Sequence, residues 1–392
     1  MSHILYGDGI HDDYPAIQAM LDSGVREVCL PAPTCRYTIS HTLQLSDGCT
    51  LRLPRFAEIR LANGANCMMV CNRMVPDRGE RLHDDATPHG HHAYYYLNEY
   101  SPSAITENIA IIGGVWNANN MEQLPNPEQT PGFGPYGYTG DAMLFYGVKG
   151  LTLKEITLKD PTHWGITLDR VTDFTVEDIT FDYNRGNPMP INMDGVHLNG
   201  NCHNGFIRNL KGACYDDMVA LNAHEGSRGP ITSVVIDGLY AEGCHSAVRL
   251  LTVRDRVENI HISNVFGTYY QYCIGLTKYY PGETTGLFDA ITVEHVYAAK
   301  ASREGIYPWP DSYVYPFLYL QEDVHVGCLT VTDVHRKEHV NPVETVYVGS
   351  TAQVERLVLQ NITTENHTGA PMPLLVNKGD VKELITRDIS EK

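Results

Sequence analysis

Apolar and polar residues alternate along this chain in short bursts, and the bursts recur. The order apolar, any, apolar, two others, apolar stands at "IAIIGGV" (109–115), "LTLKEITL" (151–158), "FTVEDITF" (174–181), "VVIDGLY" (234–240), "IHISNVF" (260–266), "ITVEHVY" (291–297), "LTVTDVH" (329–335) and "LVLQNIT" (357–363). Where no long insertion intervenes, successive bursts start 23 to 31 residues apart. Period-two alternation predicts a strand, and the break after three residues predicts a sharp bend into another short strand. A fixed period of this length marks a solenoid, whose units bury their apolar faces by stacking on their neighbours. The Leu/Asn consensus of leucine-rich repeats is absent. A right-handed parallel β-helix fits, with Asn, Asp and Gly at corners that need turn chemistry.

One helix is predicted, in the segment "DDYPAIQAMLDSG", with Asp12 or Asp13 as cap, Pro15 in the first turn, and Ile17, Met20 and Leu21 as its apolar stripe. The end of a solenoid needs covering, so the region 7–24 is expected to plug the first coil. Segments 72–104, 117–141 and 281–323 break the rhythm; rich in Pro, Gly, Tyr and His, they read as long surface loops. The whole of 1–392 is therefore expected to be a single all-β domain.

A second register emerges from five apolar-x-apolar triplets: Ile166-Thr167-Leu168, Val196-His197-Leu198, Val219-Ala220-Leu221, Val248-Arg249-Leu250 and Ile274-Gly275-Leu276. Two residues before them stand Trp164, Asp194, Asp217, Ser246 and Tyr272; three before stand His163, Met193, Asp216, His245 and Gln271. On successive coils, residues in one register stack about 4.8 Å apart. Asp194 is thus expected beside Asp217, with Asp216 adjacent and His245 one coil onward. Like charges that close disfavour joint ionisation, so one carboxyl should be pushed up while others stay low. Cleavage of a glycosidic bond needs that division: one carboxylic acid to protonate the leaving oxygen, one carboxylate to activate water or attack.

At these residues the sequence resembles glycoside hydrolase family 28, the polygalacturonase-like family within the pectate-lyase-like right-handed β-helices. The family's Asn-Thr-Asp-Gly corresponds to "NMDG" (192–195), and its Gly-Asp-Asp to "YDD" (215–217). "PTHWGITLDRVTDFTVEDITF" (161–181) is similar to the segment that precedes the first of these. "GDGIHDDYPAIQAMLD" (7–22) is similar to the start of many such β-helices, phage tailspikes included. The resemblance implies Asp216 as general acid, Asp194 and Asp217 holding and deprotonating the water, and inversion at the anomeric carbon. The family's Gly-His-Gly faces "GCHS" (243–246), which makes His245 its counterpart. Its Arg-Ile-Lys faces "IGLTK" (274–278), where Lys278 is kept and Arg is not; Arg249 is the cation available to replace it.

His163 and Trp164 are candidates to stack a sugar ring, and His197 and Arg249, at the outward centres of their triplets, to meet one. The aromatic runs at 94–100 and 307–319 could wall a sugar site or form a homo-oligomer contact. A walled site takes a chain end, so exo-action on a short, uronate-bearing oligosaccharide is expected. The alternatives are a lyase or epimerase on the same fold, using carboxylate-held Ca²⁺ and an Arg or Lys base, and a non-catalytic, tailspike-like carbohydrate binder.

With 29 Lys and Arg against 47 Asp and Glu, the net charge of −18 argues against a nucleic-acid or anionic-membrane partner. The ten cysteines show no zinc spacing; they read as small buried residues of a reduced protein, with Cys67 and Cys71 the weakest hint of anything else. The His-rich stretch 83–92 has no ligand spacing and reads as a polar loop, so neither a metal nor another cofactor is expected. No apolar run approaches membrane-spanning length and no signal segment is visible, which makes the cytoplasm the expected compartment.

Overall fold

The computed structural model describes residues 4–73, 105–126, 140–279, 284–302 and 309–392. Among these residues it is nearly all β, with parallel strands in stacked ladders and one α-helix, the right-handed parallel β-helix that the periodicity predicts. The chain divides into two compact units, Met1–His197 and Leu198–Lys392.

In the first unit, one ladder runs through Glu27–Cys29, Thr50–Arg52, Thr106–Ile112, Val148–Lys154 and Thr172–Asp182. A second joins Tyr37–Ile39, Glu58–Leu61, Val115–Asn117 and Thr157–Lys159 to the end of Thr172–Asp182. A third joins Leu43–Leu45, Val70–Asn72, Met143–Tyr146 and Ile166–Asp169. In the second unit, long strands stack from His203–Lys211 through Ile231–Cys244, Arg256–Tyr269, Gly286–Lys300, Val324–Glu338 and Gln353–Asn366 to Asp380–Glu391. Short strands stack from Asp217–Asn222 through Ser246–Leu251, Ile274–Thr277, Leu318–Leu320 and Val346–Val348 to Leu375–Asn377.

The bends fall where the repeat breaks. Gly113, Asp178, Asn209, Gly238, Asn264, Asp333 and Asn361 all take left-handed backbone there. Gly accepts that conformation freely, and Asn and Asp are the side chains that tolerate it best. Glu155 and His295 hold the same position without that advantage. Inside each coil the apolar residues of the pattern are sealed: Val219, Leu221, Val248, Leu250, Val293, Val331 and Leu359 have at most 1% of their surface exposed.

The helix is Tyr14–Asp22, with Ala16, Ile17, Gln18 and Leu21 buried; Met20 is only half-buried. Gln18 exchanges hydrogen bonds with the backbone of Gln44, which fixes the helix to the strand Leu43–Leu45 of the first coil. Of the two expected caps, Asp12 accepts from the backbone N–H of Tyr14, the first helical residue, at 3.0 Å. Asp13 occupies the cap position but its carboxylate accepts from the backbone N–H groups of Tyr6, Gly7 and Thr38 instead. Three donors outside the helix compete better than one inside it, and they tie the N-terminal segment to the strand Tyr37–Ile39.

Segment 281–323 is not one loop, for the strand Gly286–Lys300 and the 3₁₀ turn Pro310–Val314 lie within it. Of the segments 72–104 and 117–141 expected as loops, residues 74–104 and 127–139 lie outside the described residues, and with them the aromatic run 94–100 and the His-rich stretch 83–92. All ten cysteines are free thiols, and Cys67 and Cys71 are buried as expected; Cys29 is exposed at an outward position of the strand Glu27–Cys29, and Cys35 is exposed in the non-strand segment after it. No helix among the described residues is long and apolar enough to cross a membrane.

Candidate active site

The triplet register holds in the second unit. Val219, Ala220 and Leu221 pair with Val248, Arg249 and Leu250, which pair in turn with Ile274, Gly275 and Leu276. The same ladder sets Asp217 opposite Ser246, whose hydroxyl donates to the Asp217 carboxylate. Arg249 lies across from the small Ala220, and with no bulk beside it the guanidinium folds back along the coil. Its Nε lies 2.9 Å from Asp217 Oδ2 and its Nη2 3.2 Å from Asp216 Oδ1. The Arg249 Nε–H donates to the Tyr272 hydroxyl at 2.8 Å, and the Tyr279 ring lies 5.0 Å beneath the guanidinium carbon. His245 Nδ1 approaches the same Asp216 oxygen at 3.4 Å. One cation therefore bridges two buried, adjacent carboxylates, with a histidine alongside.

Burial pushes the Asp216 carboxyl up, but the Arg249 guanidinium and His245 pull it further down, so it lies below the ordinary aspartate range. Burial would lower Arg249, yet Asp217, Tyr272 and Asp216 drive it well above its usual value. Burial also raises Tyr272 well above a normal phenol. The expectation that crowding leaves one carboxyl protonated is not met at Asp216, because the guanidinium lies against both carboxylates. Arg249 is thus already paired with two carboxylates.

The first unit carries a second set of buried groups. Asp194 Oδ2 lies 2.6 Å from His197 Nδ1, and Asp141 Oδ1 lies 2.9 Å from His163 Nδ1. Trp164 stacks on His197 with ring centres 3.5 Å apart and tilts against His163 at 4.5 Å. The Tyr183 hydroxyl donates to the Asp194 carbonyl, and Gly165 lies so close beneath that a β-carbon there would meet Gly195 O at 2.8 Å and Leu158 at 2.7 Å. His163, Trp164 and His197 were expected to face a sugar. They are buried instead, because each ring packs on the next and two of them pair with aspartates.

Lys278 is also buried, with its ammonium 3.7 Å from Asp323 and its backbone N–H on Gln321. The described part of the run 307–319 does border the Asp216–Asp217–Arg249 cluster. The Trp309 ring lies 5.4 Å from His245, and Tyr315 and Tyr319 pack at 6.3 and 6.0 Å from Tyr272.

Two contributors were missed. Asp141 stands two residues before Met143-Leu144-Phe145, the triplet that pairs with Ile166-Thr167-Leu168, so it holds the register position of Asp194 and Asp217. Extending the triplet alignment back by one coil finds it. Tyr279, which lies in a non-strand segment after its coil, leaves no periodic signal.

No family model matches this chain, and no curated protein does. Solved structures do. A surface adhesin of Streptococcus pneumoniae has 15% identity and a TM-score of 0.62, covering 98% of this chain and 89% of its own. A hyperthermoactive exopolygalacturonase from Thermotoga maritima has 14% identity and a TM-score of 0.62, covering 97% and 89%. The A-module of a mannuronan C-5 epimerase from Azotobacter vinelandii has 13% identity and a TM-score of 0.55, covering 99% and 97%. What these three share with this chain is the fold. One is an adhesin, one a hydrolase and one an epimerase, so function has to be argued from the residues of the site.

Proposed function

We propose that this protein is a glycoside hydrolase acting on a short, uronate-bearing oligosaccharide. The residues assigned to the reaction are Asp194, Asp216 and Asp217, each at a fixed offset from its triplet. The observation that carries the reading is the buried Asp216–Asp217 pair bridged by Arg249, with His245 against Asp216. A purely structural corner has no use for two adjacent buried carboxylates, because each must be compensated. In the proposed reaction Asp216 protonates the leaving glycosidic oxygen while Asp194 and Asp217 hold and deprotonate a water on the opposite face, with inversion. The aromatics at 309–319 support a bordered site and hence exo-action, the mode named for the Thermotoga neighbour.

The lyase or epimerase reading needs an arginine or lysine base or a tyrosinate. Arg249 is held protonated by two carboxylates and Tyr272 is pushed up by burial, which disfavours both. The test is release of reducing sugar from oligogalacturonides, with and without EDTA. Hydrolysis insensitive to EDTA and lost in Asp216→Asn by about 10²–10⁴-fold supports the assignment. An unsaturated product absorbing near the ultraviolet edge, or no turnover of any glycan, sinks it.

A further inference from the structure

Arg249 poses a problem for the reaction proposed above. A general acid must carry a proton, yet the guanidinium rests on Asp216 and Asp217 together and favours both as anions. Something must move it. The following coil holds it unevenly: it donates to Tyr272 at 2.8 Å, while its contact to Gln271 Oε1 is stretched to 3.5 Å. Its side chain is 14% exposed, against 6% for Asp216 and 0% for Asp217, so among these three it is the one an incoming group reaches first.

We propose that Arg249 is a lock on the acid, and that an anionic group on the incoming sugar opens it by drawing the guanidinium off Asp216, whose carboxylate then takes a proton from solvent. The inference rests on the hydrolase reading for its meaning, but not for its test. The charges balance. Two carboxylates and one guanidinium sum to −1; an added carboxylate or sulfate makes −2, and one proton on Asp216 restores −1. In a buried site an uncompensated charge is strongly unfavourable, so anion and proton should enter together.

The groups facing Asp216 are Arg249, His245, the neighbouring Asp217 and, at longer range, Glu225. With Arg249 withdrawn, Asp217 and Glu225 both favour the protonated form, and His245 remains to orient it. A neutral sugar offers the guanidinium nothing better than a carboxylate and should leave the lock shut. The site would thus make its acid only when an acidic substrate is present.

The experiment is calorimetric titration of the intact protein at pH 6 in buffers of different ionisation enthalpy, with galacturonate, galactose 6-sulfate and galactose as probes. Binding of either anionic probe with uptake of ~1 proton, and affinity that tightens by up to about tenfold per pH unit as the pH falls, is the expected result. The two anionic arms separate a carboxylate from a sulfate ligand. Asp216→Asn, which keeps Arg249 paired to Asp217, should bind without the uptake; His245→Gln should retain it. Anion binding with no proton uptake, equal uptake in Asp216→Asn, the same response to galactose, or no binding of either anion would overturn the lock. Turnover plays no part in these readouts. Hydrolysis of neutral glycosides would end the lock and spare the hydrolase, while uptake without any hydrolysis would do the reverse.

Discussion

The ring of Tyr272 lies directly over Gly275: a β-carbon on that glycine would stand 2.7 Å from two ring carbons. Gly275 is the register partner of Arg249, and Tyr272 is the residue that receives the Arg249 Nε–H. The missing side chain on one coil therefore fixes the guanidinium on the previous one.

Gly275→Ala forces the Tyr272 ring to move and, with it, the bond to Arg249. Overpacking of this kind costs about 1–3 kcal/mol. Urea unfolding should register that loss. A change below ~0.5 kcal/mol would mean that the ring has room to yield.

The acid limb of stability should report Asp216. Its folded carboxyl lies below the unfolded one, so its ion pair contributes fully above the unfolded value of about 4. That contribution is lost as the pH falls from there through the folded value. Unfolding free energy followed from pH 6 to pH 2 should drop less steeply in Asp216→Asn than in the wild type. Parallel curves would show that Arg249 does not hold the carboxylate.

Lys300 should prove structural. Its buried Nζ donates to the carbonyl oxygens of Gln271 and Tyr315, joining the coil that carries Tyr272 to the aromatic segment. Lys300→Met leaves both carbonyls without that donor, and an unsatisfied buried polar group costs about 1–3 kcal/mol. Thermal unfolding of the variant checks this, and a raised melting temperature would contradict it.

Thiol titration should divide the ten cysteines. Cys29 and Cys35 are exposed and Cys328 is half-buried; the other seven are buried. Burial raises the Cys49 thiol and Cys273 further still, which keeps both in the unreactive form. Ellman's reagent should label two thiols fast and a third slowly, and the rest only in denaturant. Rapid reaction of all ten in the native protein would be incompatible with the packed coils.

The stereochemical outcome follows from the proposed roles of Asp194, Asp216 and Asp217. NMR of the first-formed sugar should show the anomer opposite to the substrate's. A retained anomer, or a sugar covalently trapped on any of the three, would refute a water-mediated displacement.

The sequence by itself determined the coils. Val219, Val248 and Ile274 announce their register because strand side chains alternate with a period of two, and Asn264, Asp333 and Gly238 mark the bends because only a few residue types tolerate a left-handed backbone. Backbone periodicity is local, so it survives in one dimension. It also placed Asp216, Asp217, Ser246 and His245 near one another, since each stands at a fixed offset from its triplet. Where the long side chains point was decided only in three dimensions. Arg249 could equally have reached outward, and it turns inward because Ala220 leaves space, Gly275 admits Tyr272, and two carboxylates wait at the end of the turn. His197 likewise reads as an outward position but closes on Trp164. A register fixes where a side chain starts; partners drawn from other coils, and the need to compensate each buried charge, fix where it ends.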